Sequence, residues 1–258
     1  MIKVTPKTRL PLKTFVNKGT YQQRLEYAQN LNAKFFKIIR TKMSKDSVSL
    51  SDYYRTLKDL IPNINFNIAE YIRKGFLDGT KAQTVINIDK HERATKFTLQ
   101  IPYTFCEYIK SGKRKFDKRI HMDDFYLAMH ENFHLLASVS NPKHLTRQDF
   151  NSQLEADIYK YTMYSDIPSK FGFKEKREWK KNLKENIQPM TISEKINFLQ
   201  NCRYRLLEEN LAWNESKKYT TLKEVNVEHF HFEEKIKIIE KLLYKLIKKS
   251  RKEIKKSC

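Results

Sequence analysis

Glycine is scarce in this sequence: the chain has 258 residues, and five of them are glycine. Sandwiches and barrels of β-strands need many tight turns, and glycine is the residue that most readily adopts the required positive φ. The sequence also lacks G-x-G-x-x-G and G-x-x-x-x-G-K-[ST], which excludes the two common glycine-rich phosphate-binding loops. Because hydrophobic residues make up 40% of the chain, a folded core is expected. The composition therefore predicts a folded protein built mainly from helices.

The pattern of apolar residues predicts helices interrupted by one β-hairpin. Residues 83–89 and 94–101 are rich in β-branched and aromatic side chains, and a short polar segment joins them, as in a hairpin. The basic segment 111–119 that follows is predicted to be a loop. The expected fold class is therefore α+β and predominantly helical, with a hairpin or small antiparallel sheet early in the chain. Apolar spacing and capping residues place the predicted helices at about 21–43, 53–61, 65–77, 124–139, 146–164, 192–215 and 232–256.

Positive charge is concentrated at the two ends of the chain. The formal net charge is +21, of which residues 1–50 carry +9 and residues 234–258 carry +7, whereas residues 121–170 carry −3. We expect a basic N-terminal arm (1–20), a central domain (21–168) and a helical C-terminal region (169–258) that ends in a basic amphipathic helix. Because lysine and arginine bind phosphates without reading sequence, the basic ends predict non-specific nucleic acid as a partner.

The three cysteines indicate the compartment. Cys106, Cys202 and Cys258 are far apart and odd in number, so they predict neither a disulfide framework nor a thiolate metal site. The first residues lack the apolar core of a secretory signal, and the sequence has no apolar run long enough to span a membrane. The expected location is cytoplasmic, with association to a virus particle as the alternative.

The sequence HENFH at residues 130–134 is the one motif that points to chemistry. It fits H-E-x-x-H, and it lies within the predicted helix 124–139. His130 and His134 are four residues apart, so they lie one turn apart on the same helix face and can bind one ion. Zn²⁺ is well suited to two imidazoles, and Glu131 is then close enough to act as a general base on water.

A catalytic zinc site takes three protein ligands, so a third ligand is needed. Glu155 lies on the next predicted helix, and the twenty residues between it and His134 are enough for a turn and an antiparallel return. His144 and Asp149 are weaker candidates. Asp157 is an alternative of another kind, because it could hold a ligand histidine by a hydrogen bond. The negative net charge of residues 121–170 agrees with a cation site in this segment.

The combination HENFHLL and EADIYKY resembles the zincin metallopeptidases, in particular the gluzincin branch. It is also similar to the ImmA/IrrE-type zinc peptidases of phages and mobile elements, and the resemblance covers about residues 83–165. It implies a zinc-dependent peptidase that cleaves a protein or peptide, with Zn²⁺ held by His130, His134 and Glu155 and with Glu131 as the catalytic base. One departure is Tyr159, which stands where some gluzincins have an acid.

The alternative interpretation belongs to another class of protein. A basic structural or nucleic-acid-binding protein, such as a component of a phage particle, would carry H-E-x-x-H as an incidental or degenerate motif. This interpretation depends on the net charge of +21 and on the two basic ends.

Overall fold

The computed structural model describes residues 21–44, 46–71, 82–88, 94–110, 113–140, 172–219 and 231–257. Over these residues the fold is α+β and mainly helical, which confirms the predicted class. The helices are α1 (Tyr21–Arg40), α2 (Leu50–Leu60), α3 (Met122–Ser140), α4 (Phe173–Asn186), α5 (Ile192–Lys217) and α6 (Phe232–Ser257). The strands are β1 (Ser47–Ser49), β2 (Phe66–Glu70), β3 (Gln83–Ile88), β4 (Ala94–Ile101), β5 (Thr104–Lys110) and β6 (Lys113–His121).

The chain divides into two compact units. The first comprises Met1–Thr146 and Asn214–Lys223, and the second comprises Arg147–Trp213 and Glu224–Cys258. The predicted arm 1–20, the predicted helix 146–164 and the predicted boundary between residues 168 and 169 lie wholly or largely outside the described residues. None of the helices in the described part of the chain is sufficiently long and apolar to cross a membrane.

The strands of the first unit form two three-stranded sheets within the described residues. One has the order β1–β6–β5 and the other has the order β2–β4–β3. Strands β3 and β4 pair antiparallel, which confirms the predicted hairpin. Strand β2 is parallel to β4, so β3 is left at the edge of its sheet.

Two predicted elements are wrong. Residues 65–77 were expected to be helical, but Phe66–Glu70 is strand β2, because its backbone pairs with β4 and this tertiary pairing overrides a short apolar pattern. The segment 111–119 was expected to be a loop, but Lys113–His121 is strand β6. Its lysines and arginines are compatible with a strand because much of this hairpin is exposed, so the charged heads remain in water.

Helix α3 is the centre of the first unit. Phe125, Met129, Phe133 and Leu136 are fully buried, as expected for core residues. Burial extends around most of the helix circumference, which is typical of a helix enclosed by other elements. Aromatic contacts fix it to its neighbours: the ring of Tyr53 in α2 makes an edge contact with the ring of Phe125, at 6.3 Å between centroids.

The second unit is helical in its described part. Its core comprises side chains from α4, α5 and α6, among them Trp179, Leu183, Leu206 and Ile239. Helix α4 lies in a region predicted only as a polar boundary, and its two buried residues, Trp179 and Leu183, are one turn apart on one face. Helix α5 begins with the predicted capping box: the Thr191 amide donates to Glu194 Oε2 at 2.7 Å, and the Glu194 amide donates to Thr191 Oγ1 at 3.3 Å.

Candidate metal centre

His130 and His134 are brought together by one turn of α3. Their Nε2 atoms are 3.1 Å apart, and both rings are presented from the same side of the helix. Two nitrogens bound to one tetrahedral zinc ion at about 2.0–2.1 Å lie roughly 3.3–3.4 Å apart. The observed separation is therefore within a few tenths of an ångström of the value that a shared ion requires. His130 is buried, whereas His134 is partly exposed.

Buried hydrogen bonds hold α3 in one rotation about its axis. The Tyr53 hydroxyl in α2 donates to the Ala128 carbonyl at 2.9 Å, and Asn132 Nδ2 donates to Asn32 Oδ1 in α1 at 2.7 Å. Burial raises the pKa of Tyr53, and the charge of Glu131 raises it further, so the phenol stays protonated and remains a donor. These bonds flank the motif and fix the direction in which its histidines point.

Glu131 is buried beside the two histidines, and its two carboxylate oxygens have different surroundings. Oε1 lies 4.0 Å from His130 Nε2. Oε2 lies 2.8 Å from the hydroxyl of Thr84 in strand β3, and this hydroxyl is also 2.9 Å from the Glu131 carbonyl oxygen. A hydroxyl has one proton, so Thr84 donates to one of these oxygens at a time. The carboxylate is thereby held from the sheet side, with Oε1 directed towards the histidines.

The residue predicted as the third ligand, Glu155, lies outside the described residues, as do His144, Asp149 and Asp157. Its role stays a prediction. Thr84 was missed as a site residue, although its strand was predicted. A threonine in a strand ordinarily indicates only β-propensity, so its contact with the base could be found only once the sheet was placed against α3.

The donor set fits a metal ion. Two imidazoles whose Nε2 atoms are 3.1 Å apart, with the motif glutamate beside them, can bind one divalent ion of the first transition row. No protein family, no curated protein and no solved structure matches this chain.

Proposed function

We propose that this protein is a zinc-dependent peptidase in which His130 and His134 bind the ion, Glu155 is the third ligand that the sequence indicates, and Glu131 is the general base. The observation that carries this proposal is the 3.1 Å separation of the two Nε2 atoms, with a buried carboxylate beside them. Glu131 is buried and is held beside His130 by the Thr84 hydroxyl, and a carboxylate fixed in this way is suited to proton transfer. The resemblance of the motif to zincin peptidases supports the same function.

The proposed chemistry assigns one task to each side chain. His130, His134 and Glu155 would hold the ion, which when bound supplies a Lewis acid that polarises a carbonyl and lowers the pKa of water. Glu131 accepts a proton from the attacking water at Oε1 and then transfers it to the leaving nitrogen. Thr84 donates to Oε2, which leaves Oε1 available for the proton and keeps the carboxylate from rotating away.

The position of strand β3 supports a peptide as the substrate. In the described residues β3 is at the edge of its sheet, so one side of its backbone can pair with an added extended strand. Thr84 lies in this strand and contacts Glu131, so a peptide aligned along β3 would pass close to the catalytic base. An extended peptide is therefore a better fit than a compact small molecule.

The Glu131→Gln variant tests the catalytic role. We expect the wild-type protein, loaded with zinc, to cleave members of a fluorogenic peptide library. Because glutamine cannot accept the proton, kcat of the variant should fall by roughly 10²–10⁴-fold while its zinc content stays unchanged. The matched control is Glu107→Gln, which removes a carboxylate on the exposed strand β5 and should leave cleavage unaffected. Equal cleavage by Glu131→Gln and the wild type would contradict the proposal.

A further inference from the structure

The hairpin formed by β5 and β6 has a face that combines aromatic and cationic side chains. Phe105 is opposite Lys118 and Glu107 is opposite Phe116 in the antiparallel register. Since alternate residues point to the same side of a sheet, these four side chains share one face. The ion pair between Arg114 and Glu107, at 3.2 Å, places Arg114 there as well. We call these five residues the hairpin face.

Both phenylalanine rings of the hairpin face are exposed to solvent. Phe105 is 69% exposed and Phe116 is 71% exposed, although large apolar side chains are usually covered. Diagonal neighbours on an antiparallel pair are about 7–8 Å apart, so the two rings are close enough to be covered by one ligand. Two adjacent exposed rings of this size are typical of a binding surface.

A positive charge lies against these rings. The Lys118 ammonium is 5.0 Å from the centroid of Phe105 and 5.0 Å from the centroid of Tyr103, which are cation–π distances. Arg114 is 81% exposed and its partner Glu107 is 44% exposed, so this pair is weak and the guanidinium remains accessible. Lys113 and Lys115 are also exposed, but they alternate with Arg114 and therefore point to the other face of the hairpin.

Arg119, another cation of the hairpin, makes hydrogen bonds within the fold. Arg119 Nε donates to Ser47 Oγ at 2.7 Å, and its Nη2 donates to Ser44 Oγ at 3.1 Å. These bonds join β6 to β1 and to the segment before it. The cations of the hairpin face that are available to a ligand are therefore Arg114 and Lys118.

We infer that the hairpin face binds single-stranded nucleic acid. Exposed rings offer stacking partners for unpaired bases, and the cations beside them attract the phosphates of the same strand. Double-stranded nucleic acid also presents phosphates to the cations. Its bases are already stacked on one another, however, so they would not cover the rings of Phe105 and Phe116. An anionic membrane is a poorer match, because the strand end nearest the turn has the exposed charges of Lys113 and Arg114 where insertion would need apolar residues.

The test measures binding of a fluorescein-labelled oligothymidylate to the full chain by anisotropy, at several salt concentrations. We expect the double variant Phe105→Ala/Phe116→Ala to bind about ten-fold more weakly or worse, since each ring stacks a base. The matched control is Phe173→Ala in α4, where a phenylalanine that is 85% exposed is removed and the affinity should not change. Phe105→Tyr/Phe116→Tyr should bind as the wild type does, whereas Phe105→Leu/Phe116→Leu should bind as weakly as the alanine pair.

The salt dependence separates the hairpin from the general positive charge of the chain. Lys118→Gln should reduce the slope of log affinity against log salt by about 0.7, the value for one phosphate contact on a single strand. Lys241→Gln, on the exposed face of α6, should leave the slope unchanged. Equal effects of the two substitutions would show that binding is spread over the molecule and would overturn the inference.

Three other results would also overturn it. The first is oligothymidylate affinity that the Phe105→Ala/Phe116→Ala variant retains in full. The second is an effect of this variant on binding to vesicles that contain phosphatidylserine, with oligothymidylate binding unchanged, because a membrane would then be the partner. The third is a dimer of the wild-type chain that dissociates in the variant, because a second copy would then cover the rings.

His134→Ala should leave nucleic-acid binding intact, so this test is independent of the proposed peptidase activity.

Discussion

The hairpin β5–β6 and helix α3 are consecutive in the chain, yet they use the same residue types in opposite ways. Strand β6 ends at His121 and α3 begins at Met122. Phe133 in α3 is fully buried, whereas Phe116 in β6 is mostly exposed. Glu131 is buried and hydrogen-bonded to Thr84, whereas Glu107 is exposed and forms an ion pair with Arg114.

This difference shows how burial changes what a side chain can do. A buried carboxylate is strongly affected by its partners and is held in one place, which suits proton transfer at a fixed distance. An exposed carboxylate or ammonium is screened by water and salt, so it contributes little to stability but can exchange its partner for a ligand. The helix is therefore suited to chemistry and the hairpin to reversible contact.

The largest expected effect concerns the two phenylalanines. Phe133→Ala should lower the free energy of unfolding by about 3–5 kcal/mol, because it removes a fully buried ring and leaves a cavity beneath the motif. Phe116→Ala should change it by less than about 0.5 kcal/mol, since its ring is already in water. Urea denaturation of both variants measures these changes. Similar losses in the free energy of unfolding for the two variants would contradict the difference in burial between helix α3 and the hairpin.

A smaller effect is expected from the hydroxyl that holds the catalytic carboxylate. Thr84→Val keeps the shape of the side chain but removes the donor to Glu131, and a hydrogen bond to a charged group contributes about 1.5–3 kcal/mol. We therefore expect kcat to fall roughly ten-fold or more, with KM and zinc content nearly unchanged. Steady-state kinetics on a peptide identified with the wild type would measure this.

The conservative variant Thr84→Ser is the control for this prediction. Serine retains the hydroxyl and should restore most of the lost kcat, which a purely structural role of the side chain would not produce. Wild-type kcat in Thr84→Val, or no recovery in Thr84→Ser, would show that the hydroxyl does not position Glu131.

The sequence predicts those elements whose signals are local. The hairpin of β3 and β4, the helix that carries H-E-x-x-H and the capping box at Thr191 follow from composition, spacing and capping rules, and all three are confirmed. Strands β2 and β6 could not be predicted in this way. The first is stabilised by parallel pairing with a strand about thirty residues away in sequence. The second pairs locally with β5, but it is rich in lysines and arginines and has few of the β-branched and aromatic residues that indicate a strand.

The same contrast applies to the candidate site. His130, Glu131 and His134 are separated by fixed helical spacing, so their proximity could be derived from the sequence alone. Thr84 comes from a strand that is distant in sequence, and no local pattern indicates which residue of this strand approaches the motif. The contact that holds Glu131 is therefore the part of the site that could not be derived from the sequence.

Metal content tests directly whether the two histidines bind an ion. After zinc loading and removal of free metal, elemental analysis of the wild-type protein should give about one zinc ion per chain. His134→Ala and Glu155→Ala should each lose most of this zinc, because each removes a proposed ligand. His121→Ala is the matched control and should retain the zinc, since His121 is engaged with Thr104 on the hairpin.

Two results would contradict the proposed metal site. Zinc that is absent from the wild type, or that is retained in full by His134→Ala, would show that the two histidines do not hold a metal ion. Full retention of zinc by Glu155→Ala, together with its loss in His134→Ala, would show that Glu155 is not the third ligand. The expected result is one zinc ion per chain, lost in His134→Ala and in Glu155→Ala and kept in His121→Ala.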